Sequence, residues 1–117
     1  MKARDMMQTI KASADIDSLF SKGQRGTSRR VLVLGLPTPE ARDCGTGRVL
    51  FVAGKKLGNA VLRNRCKRVL RAACSRLGGP WPGFDVALVS RAGLADAPSS
   101  DVDRDVLEAL RKAEILQ

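Results

Sequence analysis

Lys55-Lys56-Leu57-Gly58-Asn59-Ala60-Val61-Leu62-Arg63-Asn64-Arg65-Cys66-Lys67-Arg68-Val69-Leu70-Arg71 decides how the rest of the chain is read. It contains no acidic residue and is dense in Lys and Arg. From Leu62 onward, apolar side chains recur at Leu62, Cys66, Val69, Leu70, Ala73 and Leu77, the spacing of one helix face. Asn64, Lys67, Arg68 and Arg71 project from the opposite side, with Arg63 and Arg65 on the flanks. Asn59 is placed to cap the helix, which runs to about Leu77 before Gly78-Gly79-Pro80 stops it. The stretch is therefore a helix with an apolar side to bury and a cationic side to offer.

Outward from this helix, short β-type runs lie on both sides. Arg29 to Leu36 carries Val31-Leu32-Val33-Leu34, and Arg48-Val49-Leu50-Phe51-Val52-Ala53 forms a second run. A third is Phe84-Asp85-Val86-Ala87-Leu88-Val89-Ser90. Gln24 to Ser28 reads as a basic turn, and Pro37, Pro39, Gly45 and Gly47 punctuate a loop. Gly54 and Gly58 bracket Lys55-Lys56 as a flexible approach to the basic helix. A short helix spans about Ala14–Lys22, with Ile16, Leu19 and Phe20 on one face and Gly23 to end it. A last helix begins near Pro98, with Ser100 and Asp103 at capping-box spacing and Val102, Val106, Leu107, Leu110 and Ala113 on its buried face. The order is helix, strand, strand, helix, strand, helix, with room for one strand to split in two. That is an α+β layer: a small mixed sheet of three or four strands with helices packed on it. Residues 1–12 carry no firm pattern and read as a flexible arm before one domain over 13–117.

Charge narrows the function. The chain has 117 residues and a formal net charge of +9. Residues 48–77 hold nine basic and no acidic side chains, so this quarter alone equals the whole excess. A concentrated cationic field of that kind attracts polyanions, phosphate backbones above all. A merely solvated helix would carry Glu at i+4 from some of its cations, and none is present.

Enzyme constellations fail in turn. There is no His for a triad and no carboxylate in the basic segment. A phosphate loop ending at Gly54-Lys55 would need Gly at 49 and Ser or Thr at 56, which are Val49 and Lys56. Asp101, Asp103 and Asp105 sit at a helix start, where acids suit the dipole, and do not read as a metal site. Cys44, Cys66 and Cys74 show no CxxC spacing, which implies free thiols in a reducing cytoplasm. Neither a signal peptide nor a membrane-length apolar span appears in these residues.

The Gly-Asn-Ala-Val, Arg-Asn-Arg and Lys-Arg segments of Lys55–Arg71 resemble the signature of the bacterial ribonuclease P protein subunit. The similarity extends over most of residues 14–113. The resemblance implies an α+β sandwich with a left-handed βαβ crossover. It also implies an accessory subunit of an endonuclease that releases the 5′ leader of precursor tRNA, with the catalytic magnesium ions held by an RNA subunit. On that basis the protein binds no cofactor itself, works in the cytoplasm, and partners the catalytic RNA and precursor tRNA with no obligate protein partner and no membrane. RNA contact is implied for Lys55, Lys56, Asn59, Arg63, Asn64, Arg65, Lys67, Arg68 and Arg71. A leader cleft is implied for Ile16, Phe20, Leu34, Lys67 and Arg71. Ile16 and Leu34 stand where the family has aromatics, so leader contact leans on Phe20 and on cations. A structural RNA-binding protein such as a ribosomal component is the alternative that composition leaves open. A helix-turn-helix DNA reader is disfavoured by the strands on both sides of the basic helix.

Overall fold

A computed structural model describes residues 13–37, 47–79 and 81–116. The arm expected over 1–12, Cys44 and part of the 37–47 loop lie outside the described residues. The elements are α1 (Ser13–Lys22), β1 (Gln24–Thr27), β2 (Val31–Pro37), β3 (Arg48–Val52), α2 (Ala60–Arg76), β4 (Phe84–Ser90) and α3 (Ser99–Lys112). A single turn of 3-10 helix over Lys55–Leu57 precedes α2.

The four strands form one mixed sheet in the order β1-β2-β4-β3. β2 pairs antiparallel with both β1 and β4, whereas β3 lies parallel to β4 with Phe51 opposite Leu88. Adjacent parallel strands need a crossover, and α2 is that crossover, which makes β3-α2-β4 a βαβ unit. Alternation along the strands divides the sheet into two faces. Val31, Val33, Val49, Phe51, Val86 and Leu88 join Cys66, Leu70, Ala73 and Cys74 of α2 and Val102, Val106, Ala109 and Leu110 of α3 in the main core. On the other face Leu34 and Ala87 are sealed by Leu19 of α1, with Ile16, Leu32, Leu36, Leu50 and Val89 partly buried around them. The periodicity of the basic helix is borne out: Leu70 and Ala73 are fully buried, and Leu62, Val69 and Leu77 pack against the core.

Three local expectations are corrected. Gln24–Thr27 is a strand, not a turn, although its composition carries no β signal. The pairing is imposed from outside: Ser28 closes the turn with its N–H and hydroxyl both donated to Val31 O, at 2.8 and 3.1 Å. Gly26 lets the strand pass directly beneath the Ala109 carbonyl of α3, a space with no room for a Cβ. The capping box of the last helix does not form; Pro98 takes the cap position without a side-chain hydrogen bond, and Asp103 is engaged by Arg76 instead. The approach to the basic helix is an ordered turn, not a flexible one. Leu57 N–H donates to Gly54 O, and Gly58, at φ 143°, adopts a backbone that side chains rarely allow.

Candidate nucleic-acid interface

α2 begins where the sequence places it. Asn59 Oδ1 accepts the Leu62 N–H at 3.0 Å, so this side chain is a helix cap first, with its amide hydrogens left for other work. One side of the helix must face α3 and the 91–96 loop, the other the edge strand β3. The polar contacts show which is which. Arg65 lies 3.9 Å from Asp96, and Arg76 makes a bidentate pair with Asp103 of α3. The hydrogen bonds that Arg76 donates to Asp103 raise the Arg76 pKa further. On the opposite side the Arg71 guanidinium carbon sits 4.9 Å from the centroid of Phe51 in β3. Helical geometry puts Arg63 and Lys67 on this same side, with Asn64 and Arg68 outermost.

The cations of α2 thus fall into two sets. Arg76 is paired with Asp103 of α3, and Arg65 stands loosely near Asp96 on the same side. Arg63, Lys67, Arg68 and Arg71 have no acidic partner among the described residues. Lys67, Arg68 and Arg71 are exposed, and Arg63 is half-buried. The buried Nε of Arg63 has no hydrogen-bond partner among the described residues, which leaves this donor for water or a ligand oxygen.

Lys55 and Lys56 are exposed on the turn before α2. They rim an open depression of about 800 Å³ that runs from Val52 and Gly54 to Val89–Ala92. Arg91 completes that rim and was not singled out by sequence. Its backbone N–H donates to Arg30 O at 2.9 Å, and its Nη1 donates to Ser28 O at 2.8 Å, which anchors it at the end of the sheet. The signal was available, since Arg91 is the one cation between Arg76 and Arg104.

The five residues expected to line a leader cleft are not gathered equally. Ile16, Phe20 and Leu34 belong to the α1 face of the sheet, and Lys67 and Arg71 to a helix packed on the other face. Leu34 is 0 % exposed beneath α1, so it supplies a floor and no contact surface. Phe20 is 40 % exposed. The edge strand β3 lies between the two groups, with Leu50 on the α1 face and its neighbour Phe51 beneath Arg71 on the other.

Most described acids are already committed to cations. Asp85 pairs with Arg48 and Asp105 with Arg30, each at 2.9 Å. No group of three or more His, Cys, Asp or Glu gathers among the described residues. No helix among them is long and apolar enough to cross a membrane.

Known proteins with this pattern share the fold and the sequence. A family model described as Ribonuclease P matches residues 6–114. The ribonuclease P protein component of Symbiobacterium thermophilum is 34% identical over 113 residues, covering 92% of each chain. That of Thermus aquaticus is 40% identical over 96 residues, 82% of this chain, which spans only 54% of that protein. The RNase P protein of Staphylococcus aureus superposes with a TM-score of 0.76 at 25% identity, covering 93% of this chain and 97% of that one. The RNase P protein of Thermotoga maritima, at 23% identity, shares the fold with a TM-score of 0.70.

Proposed function

We propose a function from one premise: this chain belongs to the ribonuclease P protein family. It acts as the protein subunit of a ribonuclease P holoenzyme, an endoribonuclease that matures the 5′ end of tRNA. It binds the RNA partner through α2 and steadies the 5′ leader of precursor tRNA. The observation that carries this reading is the set of cations on the β3 side and outer face of α2, Arg63, Lys67, Arg68 and Arg71, left without acidic partners among the described residues. Planar guanidinium groups offer paired donors to phosphate oxygens, and an RNA oxygen would also satisfy the Arg63 Nε.

The protein side chains bind and orient; the bond-breaking chemistry belongs to the RNA, with magnesium held there. Two features support that division: the chain lacks His altogether, and its described acids are bound to arginines or dispersed. Lys55, Lys56 and Arg91 extend the cationic surface past the N-terminal end of α2, and Asn59 contributes through its amide hydrogens. Asn64, Arg63 and Arg65 face the catalytic RNA, while Lys67, Arg71, Ile16 and Phe20 approach the leader. The protein works in the cytoplasm, where both RNAs reside.

Reconstitution tests this reading. Added to a bacterial ribonuclease P RNA at low magnesium, the protein should raise the rate of precursor-tRNA cleavage. No increase overturns it. Recovery of ribosomal RNA alone with the purified protein would favour a structural ribosomal role.

A further inference from the structure

We propose that the notch between the first turns of α2 and the 91–96 loop is a seat for one unpaired guanine base of the ribonuclease P RNA, read through the Asp96 carboxylate. This rests on the reading of α2 as the RNA-binding helix, and adds a contact of another kind, to a base edge and not to phosphate. The notch encloses about 130 Å³, room for a single planar base. Leu57 and Leu62 line it from the α2 side and Ala92 and Ala95 from the loop side, with the buried Cys66 at its floor. Its polar lining is Lys56, Arg91 and Asp96, all three exposed.

Asp96 is an acid beside a strongly cationic helix, where a surface that bound phosphate alone would gain nothing from a carboxylate. Arg65 Nη1 comes no closer than 3.9 Å, too long for a hydrogen bond, and the Asp96 side chain is 83 % exposed, so its oxygens are open as acceptors. A carboxylate only accepts. Guanine is the base with two parallel donors, N1–H and N2–H, on its Watson–Crick edge, and these match the two carboxylate oxygens. Adenine and cytosine offer one amine beside a ring nitrogen that is an acceptor, and uracil one N–H between two carbonyls. Each of these sets an Asp96 oxygen against another lone pair. The apolar lining takes the faces of the base without an aromatic side chain. Lys56 and Arg91 suit the phosphate of the same nucleotide. The loop is in place before RNA arrives, which spares the cost of ordering it. Leu94 is fully buried, Ala97 N–H donates to Leu94 O at 3.2 Å, and Gly93, at φ 88°, makes the turn.

The test measures affinity of the whole protein for a bacterial ribonuclease P RNA as monovalent salt is varied, and the sign of the change in Asp96→Asn decides. An acid without a ligand only repels RNA, so removing its charge should tighten binding. An acid that reads guanine should weaken binding about tenfold when it becomes an amide, with the salt slope unchanged because no phosphate contact is lost. Ala92→Leu fills the notch from an exposed position without a change in charge, and should weaken binding as much. Glu108→Gln removes the same charge on the exposed side of α3 and should leave affinity unchanged. Kethoxal, which modifies N1 and N2 of unpaired guanines, gives a second readout at protein concentrations that saturate the RNA. One guanine should be protected by the unmodified protein and by Glu108→Gln, and reactive again with Asp96→Asn or Ala92→Leu. Equal or tighter binding by Asp96→Asn, or the absence of such a guanine, overturns the seat while RNA binding by α2 stands. If the unmodified protein binds no ribonuclease P RNA, the underlying reading falls with it.

Discussion

Arg76 of α2 and Asp103 of α3 are joined by three hydrogen bonds, from Nε at 3.1 and 3.0 Å and from Nη2 at 2.7 Å. The pair marks how α2 is rolled on its buried stripe of Cys66, Leu70, Ala73 and Cys74: Arg76 lies on the α3-facing flank, and the flank bearing Lys67 and Arg71 lies toward β3. Its energetic weight is small. The Arg76 side chain is 41 % exposed, and solvent-exposed pairs contribute about 1 kcal/mol or less. Asp103→Ala should therefore lower unfolding free energy in urea by no more than about 1 kcal/mol. A loss several times larger would show that the pair holds the two helices together.

The neighbouring pair of Asp105 with Arg30 has the opposite weight. Its oxygens and nitrogens are almost out of water, with side chains 6 % and 15 % exposed. Asp105→Ala leaves a nearly buried guanidinium without its counter-charge, which costs about 3–5 kcal/mol. That is a large fraction of the stability of a domain this size. Replacing both partners with apolar residues, Asp105→Leu with Arg30→Met, should recover most of the loss in the same urea assay. Failure to recover would mean that the pair is needed for more than charge balance. Arg91, anchored through the same 28–31 turn, would then be the place to look for the extra effect.

RNA binding should separate from stability along α2. Arg68 has no acidic neighbour among the described residues, whereas Arg65 is drawn toward Asp96 at 3.9 Å. Arg68→Ala should reduce affinity for ribonuclease P RNA more than Arg65→Ala does, each with a shallower salt dependence. Circular dichroism should show helicity unchanged in both, since neither side chain is part of the core. Leu70→Asp is the converse case. It places a carboxylate at a fully buried position and should abolish cooperative unfolding altogether.

What was legible in the sequence followed from periodicity. The stripe from Leu62 to Leu77, the Asn59 cap and the strand Phe84–Ser90 all rest on local patterns that tertiary packing then reinforced. β1 was invisible because Gln24-Arg25-Gly26-Thr27 has no pattern of its own, and its strand exists only through pairing with β2 and close passage under α3. The expected capping box failed because Asp103 had a stronger partner 27 residues away, which no local spacing reveals. In the site, the cationic face was legible but its partition was not. Which arginines have an acid beside them depends on Asp96 and Asp103, both brought in by the fold. Leu34 shows the same limit: its position on a strand was read correctly, and only the seating of α1 removes it from the surface.

Cys74 links the core of α2 to pH. Its thiol is fully buried, and burial pushes its pKa from 9.0 up to about 11, with nearby Arg71 pulling weakly the other way. The folded protein therefore holds this proton more tightly than the unfolded chain. Stability from this group is complete below pH 9 and is lost as pH rises from 9 toward 11. The difference between 9.0 and about 11 corresponds to at most about 2.7 kcal/mol. Urea unfolding at pH 8.5 and pH 11 should show a larger drop in the unmodified protein than in Cys74→Ala, with lysine titration common to both and cancelling in the comparison. Alkylation should agree: at pH 8 the Cys74 thiol should resist iodoacetamide until urea opens the core. Equal pH dependence in the two proteins would mean that the thiolate finds solvent or the Arg71 guanidinium without unfolding. Arg71 would then be turned inward, away from the cationic outer face of α2.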